Sequence, residues 1–299
     1  MQRVTNLGSS NAMREWIASS GRRLAESQED IGSGVHFDRS SEAPAAAATV
    51  LRNERTVGRL GQLERNIDDA KLWLQTSDTI MNDVVASLTR ARTLMVQGAN
   101  EVNSPEARGA IAADIRSIRD EMLSLANSTV NGRPIFAGTA NIPQSYDAAG
   151  NYLGDDGAVL RSVTTTDSFS VAATGPSVFG DNNPADPLNG SLFERLEAAA
   201  AAVDAGDVAQ VRQSIESADS SMSTVQSQIG RLGGLSNRLE EVASRNQVGQ
   251  IDLKSQISQL QDVDMADAIL RLRSAESSYE ATLSSVSRSL SRSLLDFLS

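Results

Sequence analysis

The 299-residue chain has no cysteine, a single histidine (His36), two tryptophans and three tyrosines. Without cysteine there is no disulfide framework, no thiol nucleophile and no cysteine-ligated metal. With His36 alone, a two-histidine zinc motif cannot form, and a histidine–carboxylate catalytic system has only this one residue to draw on. Aromatics are 4% of residues, which is lean for a compact enzyme and normal for long alanine-rich helices. No run of about 18 apolar residues is present, so no membrane-spanning helix is expected. No basic start followed by an apolar stretch is present either, so a conventional cleaved signal peptide is not expected. The net charge of -11 argues against a nucleic-acid partner, whose phosphates call for basic neutralisation, and against an anionic membrane surface.

What is present is unevenly placed. Residues 1–31 and roughly 250–299 are amphipathic, free of proline and rich in Ser, Ala, Leu and Arg. Most prolines and many glycines fall between Asn131 and Gly190. Residues 141–190 carry Asp147, Asp155, Asp156, Asp167, Asp181 and Asp186 against Arg161 alone, whereas residues 1–31 are balanced. The pattern predicts packed ends and a solvent-facing middle.

The clearest element runs through Leu60, Leu63, Ile67, Ala70, Leu74, Ser77, Met81, Val84, Leu88, Ala91 and Met95. Steps of three and four predict a heptad seam over about five heptads, roughly 50 Å of helix. Ser104 and Pro105 read as N-cap and first helical residue of the next seam, Ile111, Ile115, Ile118, Met122 and Leu125. Two seams joined by a short turn predict an antiparallel αα-hairpin. Asn131-Gly132 is a turn, and the sequence around Tyr146–Tyr152, Val159–Val163 and Phe169–Ala173 predicts short strands. Because few seams cross it, residues 142–188 are expected to be replaceable by a linker. Helix resumes at Ser191, breaks near Gly206, and continues through Ile215, Met222, Val225 and Leu239, with Gly230, Gly233 and Gly234 marking a bend or a close approach.

Two terminal stripes remain. The first is Met13, Ile17, Ser20, Leu24, Ser27 and Ile31, with Trp16 beside it. The second is Leu272, Tyr279, Leu283, Val286, Leu290, Leu294, Leu295, Phe297 and Leu298. Two such helices packed on each other leave an apolar face open, so these residues are the candidate assembly interface. Arg271, Arg273, Arg288 and Arg292 form either a solvated face or pairs with Glu15, Glu26 or Glu29 of a neighbour. Catalytic, cofactor-binding and metal-binding residues are not assigned. Gly32-Ser33-Gly34 begins like a phosphate loop, but Phe37 stands where a third glycine is needed. Asp181–Asp186 holds nearby carboxylates, but Ala185 breaks the calcium-loop pattern.

Three stretches carry a resemblance to a known family. Ile31–Ala48 (IGSGVHFDRSSEAPAAAA) resembles the N-terminal signature of bacterial flagellins and their relatives. Asn131–Thr139 (NGRPIFAGT) is similar to the segment closing the first long hairpin in the junction-protein branch of that family. Asp262–Ile269 and Ser293–Leu298 resemble its C-terminal helix. Glu42-Ala43-Pro44 departs from it, lacking one acid of the usual pair. The resemblance implies a mainly α, long coiled-coil helix bundle formed by the N- and C-terminal segments, with a small β-rich inserted outer domain. Residues 1–44 with 263–299 would form the inner coiled coil, 45–140 with 191–262 the long-helix bundle, and 141–190 the outer insert. It also implies a non-enzymatic structural subunit of the flagellum, without cofactor, exported unfolded through the flagellar secretion channel with a chaperone and self-associating in a ring or layer. An adapter between hook and filament would contact hook-associated protein 1 and flagellin. The alternatives are the filament subunit itself and, from another class, a ligand-binding or enzymatic function in 141–190.

Overall fold

The computed structural model describes residues 2–37, 41–100, 102–182 and 190–298; within the terminal helices, side chains are described for 11–33 and 265–288. The helices are α1 (Gln2–Ser33), α2 (Pro44–Gly98), α3 (Pro105–Ala126), α4 (Gly175–Phe179), α5 (Leu192–Ala205), α6 (Val208–Gln261) and α7 (Met265–Leu298). Two antiparallel hairpins lie between α3 and α4: β1 (Thr129–Val130) with β2 (Arg133–Pro134), and β3 (Leu160–Ser162) with β4 (Ser168–Ser170). The described part is thus mainly helical with a small β region, as the sequence pattern predicts. The chain forms two compact units, Leu60–Val248 and Met1–Arg59 with Gly249–Ser299.

In the unit Leu60–Val248 the heptad seam of α2 is buried along its length, from Ile67 to Met95. Ser77, the one polar member, donates its hydroxyl to the Trp73 carbonyl at 2.8 Å, so its burial leaves no unmet hydroxyl. Ile115, Ile118 and Met122 of α3, Leu196, Ala199 and Val203 of α5, and Val211, Val225 and Leu239 of α6 complete the core. Ion pairs tie neighbouring helices at the rim: Arg90–Glu121 between α2 and α3 (2.6 Å), Arg92–Asp219 between α2 and α6 (2.7 Å), and Arg116 and Arg119 onto Glu197 between α3 and α5 (2.9 and 2.6 Å). The helix ends are set by local chemistry. Ser104 accepts from the Ala107 amide ahead of Pro105. Ser191 and Glu194 form a reciprocal capping box. Gly206 ends α5 in the left-handed region at φ 74°. The three glycines of α6 do not bend it out of helix; α6 runs unbroken over 54 residues.

The middle segment packs into this same core. Tyr146, Val159, Val163, Val171 and Phe179 are buried in one cluster with the helices. Tyr146 meets the rings of Tyr152, Phe179 and Phe193 with centroids 5.3, 5.6 and 5.1 Å away. The Asn127 side chain pairs with both backbone polar groups of Tyr146, at 3.0 and 2.8 Å, doing for that residue what a neighbouring strand would. Hairpin β3–β4 bridges two helices. Arg161 pairs with Asp69 (2.7 Å) and the Ser162 carbonyl accepts from Asn66 (2.9 Å) on α2, while Arg238 of α6 lies 4.6 Å over the Phe169 ring. Gly154 and Gly175 sit where any Cβ would collide, with the Tyr152 hydroxyl and the Ala137 carbonyl in one case and the Tyr146 hydroxyl in the other. Replaceability of 142–188 by a linker is therefore not what this packing favours, because the segment supplies core side chains that the helices lack.

The second unit is built differently. α1 and α7 run antiparallel, with Gly21 near Tyr279 and Met13 near Val286. Buried Ser20 folds its hydroxyl back to the Trp16 carbonyl at 2.9 Å, and with Gly21 it lets α7 come close. A small cluster of Phe37, Ala47 and Val50 packs with Ile257. The two connecting segments pair through a bridge between Val35 and Asp262, with the His36 amide on the Gln261 carbonyl at 2.6 Å and the Val263 amide on that of Gly34 at 3.0 Å.

Candidate assembly interface

The candidate residues lie on α1 and α7, where the two stripes meet. Met13, Ile17, Leu24 and Ile31 of α1 are half-buried, as are Leu272, Tyr279 and Val286 of α7. Leu283 is exposed, and Trp16 is 62% exposed. The side chains of Leu290, Leu294, Leu295, Phe297 and Leu298 lie outside the described residues. Over the described residues the pairing thus half-covers each stripe. A groove of 490 Å³ runs between the helices, edged by Met13, Trp16 and Arg23 on one side and Ser278, Thr282 and Val286 on the other. Its floor of small hydroxyl residues beside an exposed indole gives apolar contact area without a deep pocket.

α7 also exposes residues that the stripe did not contain. Met265, Ile269 and Leu270 near its start are open to solvent, Leu270 by 65%. Their i, i+4 and i+5 spacing was visible in the sequence but falls on the flank of the chosen stripe. Arg271 pairs with Asp267 of its own helix at 2.5 Å. The partners weighed for it, Glu15, Glu26 or Glu29 of a neighbour, are not needed to neutralise it.

His36 sits on the segment between α1 and α2, exposed, with Nδ1 3.9 Å from Asp30. Among the described residues no group of three His, Cys, Asp or Glu side chains is arranged to hold a metal. Asp181 is described, but residues 183–186 of that loop lie outside the described set. The Asp155 carboxyl is held below the usual carboxylate range by hydrogen bonds from the Thr139 hydroxyl and amide and the Gly157 amide. Asp147 is held low by the Asn151 side chain and amide. Both close turns. Desolvation drives the Tyr146 hydroxyl above the ordinary tyrosine range and the Tyr152 hydroxyl up to about 12. No helix of the described residues is long and apolar enough to cross a membrane.

The described residues thus form an antiparallel pair of end helices and long helices packed around the α2 seam, a long-helix bundle. Residues 4–141 match the bacterial flagellin N-terminal helical region and residues 214–298 the C-terminal helical region, together most of the chain. The chain belongs to the bacterial flagellin superfamily. Within it, the chain is similar to flagellar hook-associated protein 3 of Salmonella typhimurium, at 29% identity over 205 residues, covering 65% of this chain and 62% of that protein. The match therefore spans less than two-thirds of that relative. It is also similar to a flagellin of Clostridium tyrobutyricum, at 29% identity over 124 residues, covering 42% of this chain and 33% of that one. Two solved structures share the fold. A flagellar hook-associated protein from Vibrio parahaemolyticus aligns with TM-score 0.68 and 20% identity, over 74% of this chain and all (100%) of that one. FlgL of Bacillus cereus aligns with TM-score 0.60 and 22% identity, over 69% and 99%.

Proposed function

We propose that the chain is a structural subunit of the bacterial flagellum that joins the hook, through hook-associated protein 1, to the flagellin filament. The observation that carries this reading is the match to hook-associated protein 3, which combines reach with identity. It extends over 65% of the chain at 29% identity, against 42% at 29% for the Clostridium flagellin and 60% at 26% for flagellin B of Vibrio anguillarum. The half-covered stripes of α1 and α7 supply the chemistry an assembling subunit needs, since contact with copies or neighbours would bury apolar area that the free chain leaves wet. In this reading residues 1–44 with 263–299 form the inner layer, 45–140 with 191–262 the next, and 141–190 face outward. The subunit is non-enzymatic, carried to the outside of the cell through the flagellar channel with a chaperone's help, and self-associates in a single layer.

The second reading, filament subunit, is favoured by the two flagellin regions that frame the chain. The two readings differ in whether the contact repeats. A filament subunit adds copies without limit, while an adapter stops after one layer. A strain lacking this chain is expected to keep its hook, fail to hold flagellin and be non-motile. The purified chain, seeded on sheared filaments, is expected not to elongate. Long ordered filaments of this chain alone, seen by electron microscopy, would move the assignment to filament subunit.

A further inference from the structure

Almost all of the net negative charge lies within residues 60–248. Copies brought side by side therefore repel unless local charges interlock. One stripe along α6 carries the opposite sign, interrupted by Glu241. Arg231, Arg238 and Arg245 recur every seven residues on the exposed side of α6. Arg231 is steadied by Gln228 at 2.9 Å and Arg238 by the ring of Phe169. Among the described residues neither has a carboxylate partner, and Arg245 meets Glu241 only at 3.5 Å. Gly234 stands beside the arginines, Gly230 lies further around the helix and Gly233 on its far side; all three are exposed, with nothing within 4 Å of the position a Cβ would take. Three glycines in an unbroken helix weaken it, and no contact within the chain accounts for them.

The opposite features occur on α3. Its buried side holds Ala112, Ile115, Ile118 and Met122, so its outward side is centred on Ala113, Ser117 and Asp120. This side is made of small residues and is edged by acids. Asp114 and Glu121 are exposed and seven residues apart, the same repeat as the arginines, about 10.5 Å along a helix. Glu121 already meets Arg90, leaving Asp114 as the acid among these two with no described partner.

We infer that the Arg231–Arg245 face of α6 is a docking surface for the outward face of α3 on a second copy of this chain, with Gly234 admitting the small-residue side of that helix at close range and the arginines meeting its acids. The contact is heterologous, since one face of a copy meets a different face of the next, and so it propagates around a layer. It rests on the reading of the chain as an assembling subunit, and adds which faces meet.

The cysteine-free chain makes the test clean. Cells producing the chain with Gly234→Cys and Ser117→Cys together are to be compared with cells producing Gly234→Cys with Ala149→Cys, an exposed position on the turn after Tyr146. Flagella are isolated, oxidised with copper phenanthroline and blotted for this chain. The expected result is a ladder of cross-linked copies at least tenfold stronger for the first pair than for the second. Arg238→Glu with Arg231→Glu is expected to reduce the amount of chain retained in flagella several-fold, and Asp114→Lys in the same chain to restore part of it. Circular dichroism of each purified variant separates lost docking from lost folding. Chain present in flagella without a ladder, or with equal ladders for both pairs, overturns the docking surface and leaves the subunit reading standing. Absence of the unsubstituted chain from flagella overturns both.

Discussion

The two compact units bury their apolar residues to different depths. Between Leu60 and Val248, residues such as Ile67, Met81, Leu88 and Ile115 are wholly out of solvent. Between α1 and α7 the apolar stripe residues with described side chains are half-buried at best, and full burial on the contact faces goes to Ser20 and Ala268. Both regions show seams of threes and fours in sequence. The difference is in how many elements share a seam. In the first unit, two or three further helices and a hairpin close around α2. In the second, α1 and α7 have chiefly each other. A heptad pattern thus announces a helix with an apolar face, while the number of partners sets whether that face becomes core or remains available.

The largest test of this contrast is excision. Replacing 142–188 with a Gly/Ser linker removes Tyr146, Val159, Val163, Val171 and Phe179 from the shared core. The expected outcome is loss of the cooperative unfolding transition that buried Trp73 on α2 reports by fluorescence. A cooperative melt with native helicity would show that the helices close a core without the segment.

Next is a single cavity on each side. Leu88→Ala in the closed core is expected to cost about 3 kcal/mol in urea unfolding, within the range for fully buried leucines. Leu24→Ala on the half-covered α1 is expected to cost less than about 1 kcal/mol in the free chain. Equal costs would remove the distinction. Hydrogen exchange sharpens it further: amides of α1 and α7 should exchange through openings far less costly than those of α3. Equal protection in the isolated chain would mean that the pair is already as stable as the bundle.

The comparison also predicts an alkaline limit confined to the larger unit. Tyr146 and Tyr152 have folded values raised above that of an unfolded tyrosine, about 10. Their neutral forms are the ones the fold accommodates. The stability they confer is therefore intact below about pH 10 and lost as pH rises from there. The unfolding midpoint of the Trp73 region should fall above pH 10, and Tyr146→Phe with Tyr152→Phe should flatten that fall. The Tyr146 hydroxyl has no hydrogen-bond partner in the structure. Its removal alone should consequently leave stability at neutral pH nearly unchanged. Ser191→Ala is expected to cost about 1 kcal/mol from the lost capping box, read by urea unfolding.

Local signals in the sequence were readable where the chemistry is local. Ser104-Pro105, Gly206 and Asn131-Gly132 each determine backbone geometry within a few residues, and each appears where its residue type predicts. Asn131 and Gly132 take φ of 52° and 76°, the pair of left-handed residues a tight hairpin turn requires. What could not be read were contacts between distant segments. The pairing of Val35 with Asp262 joins two short connectors with no pattern in common. The placement of β3–β4 against α2 and α6 depends on Asp69, Asn66 and Arg238, which in sequence are ordinary exposed helix residues. Acidity of 141–190 indicated a solvated surface, and Asp155, Asp156, Asp167 and Asp181 are exposed; its sparse aromatics and valines, Tyr146, Val159, Val163, Val171 and Phe179 among them, are buried but too few to register as a core. On α1 and α7 the sequence located the stripe but not its degree of exposure, because that depends on which partners are present.

The crowded glycines of the middle segment also bear on how such a chain can vary over time. Gly154 and Gly175 are wedged against tyrosine hydroxyls and a carbonyl, so substitutions there meet immediate steric penalties. The turns at Ala148-Ala149 and Thr164–Thr166 are exposed tips closed by their own aspartates, Asp147 and Asp167. Length can be gained at those tips without disturbing the tyrosine cluster beneath. Lineages carrying this fold should therefore diversify their outer surface by lengthening at these two points, while the glycine-lined seat of the segment stays fixed in size.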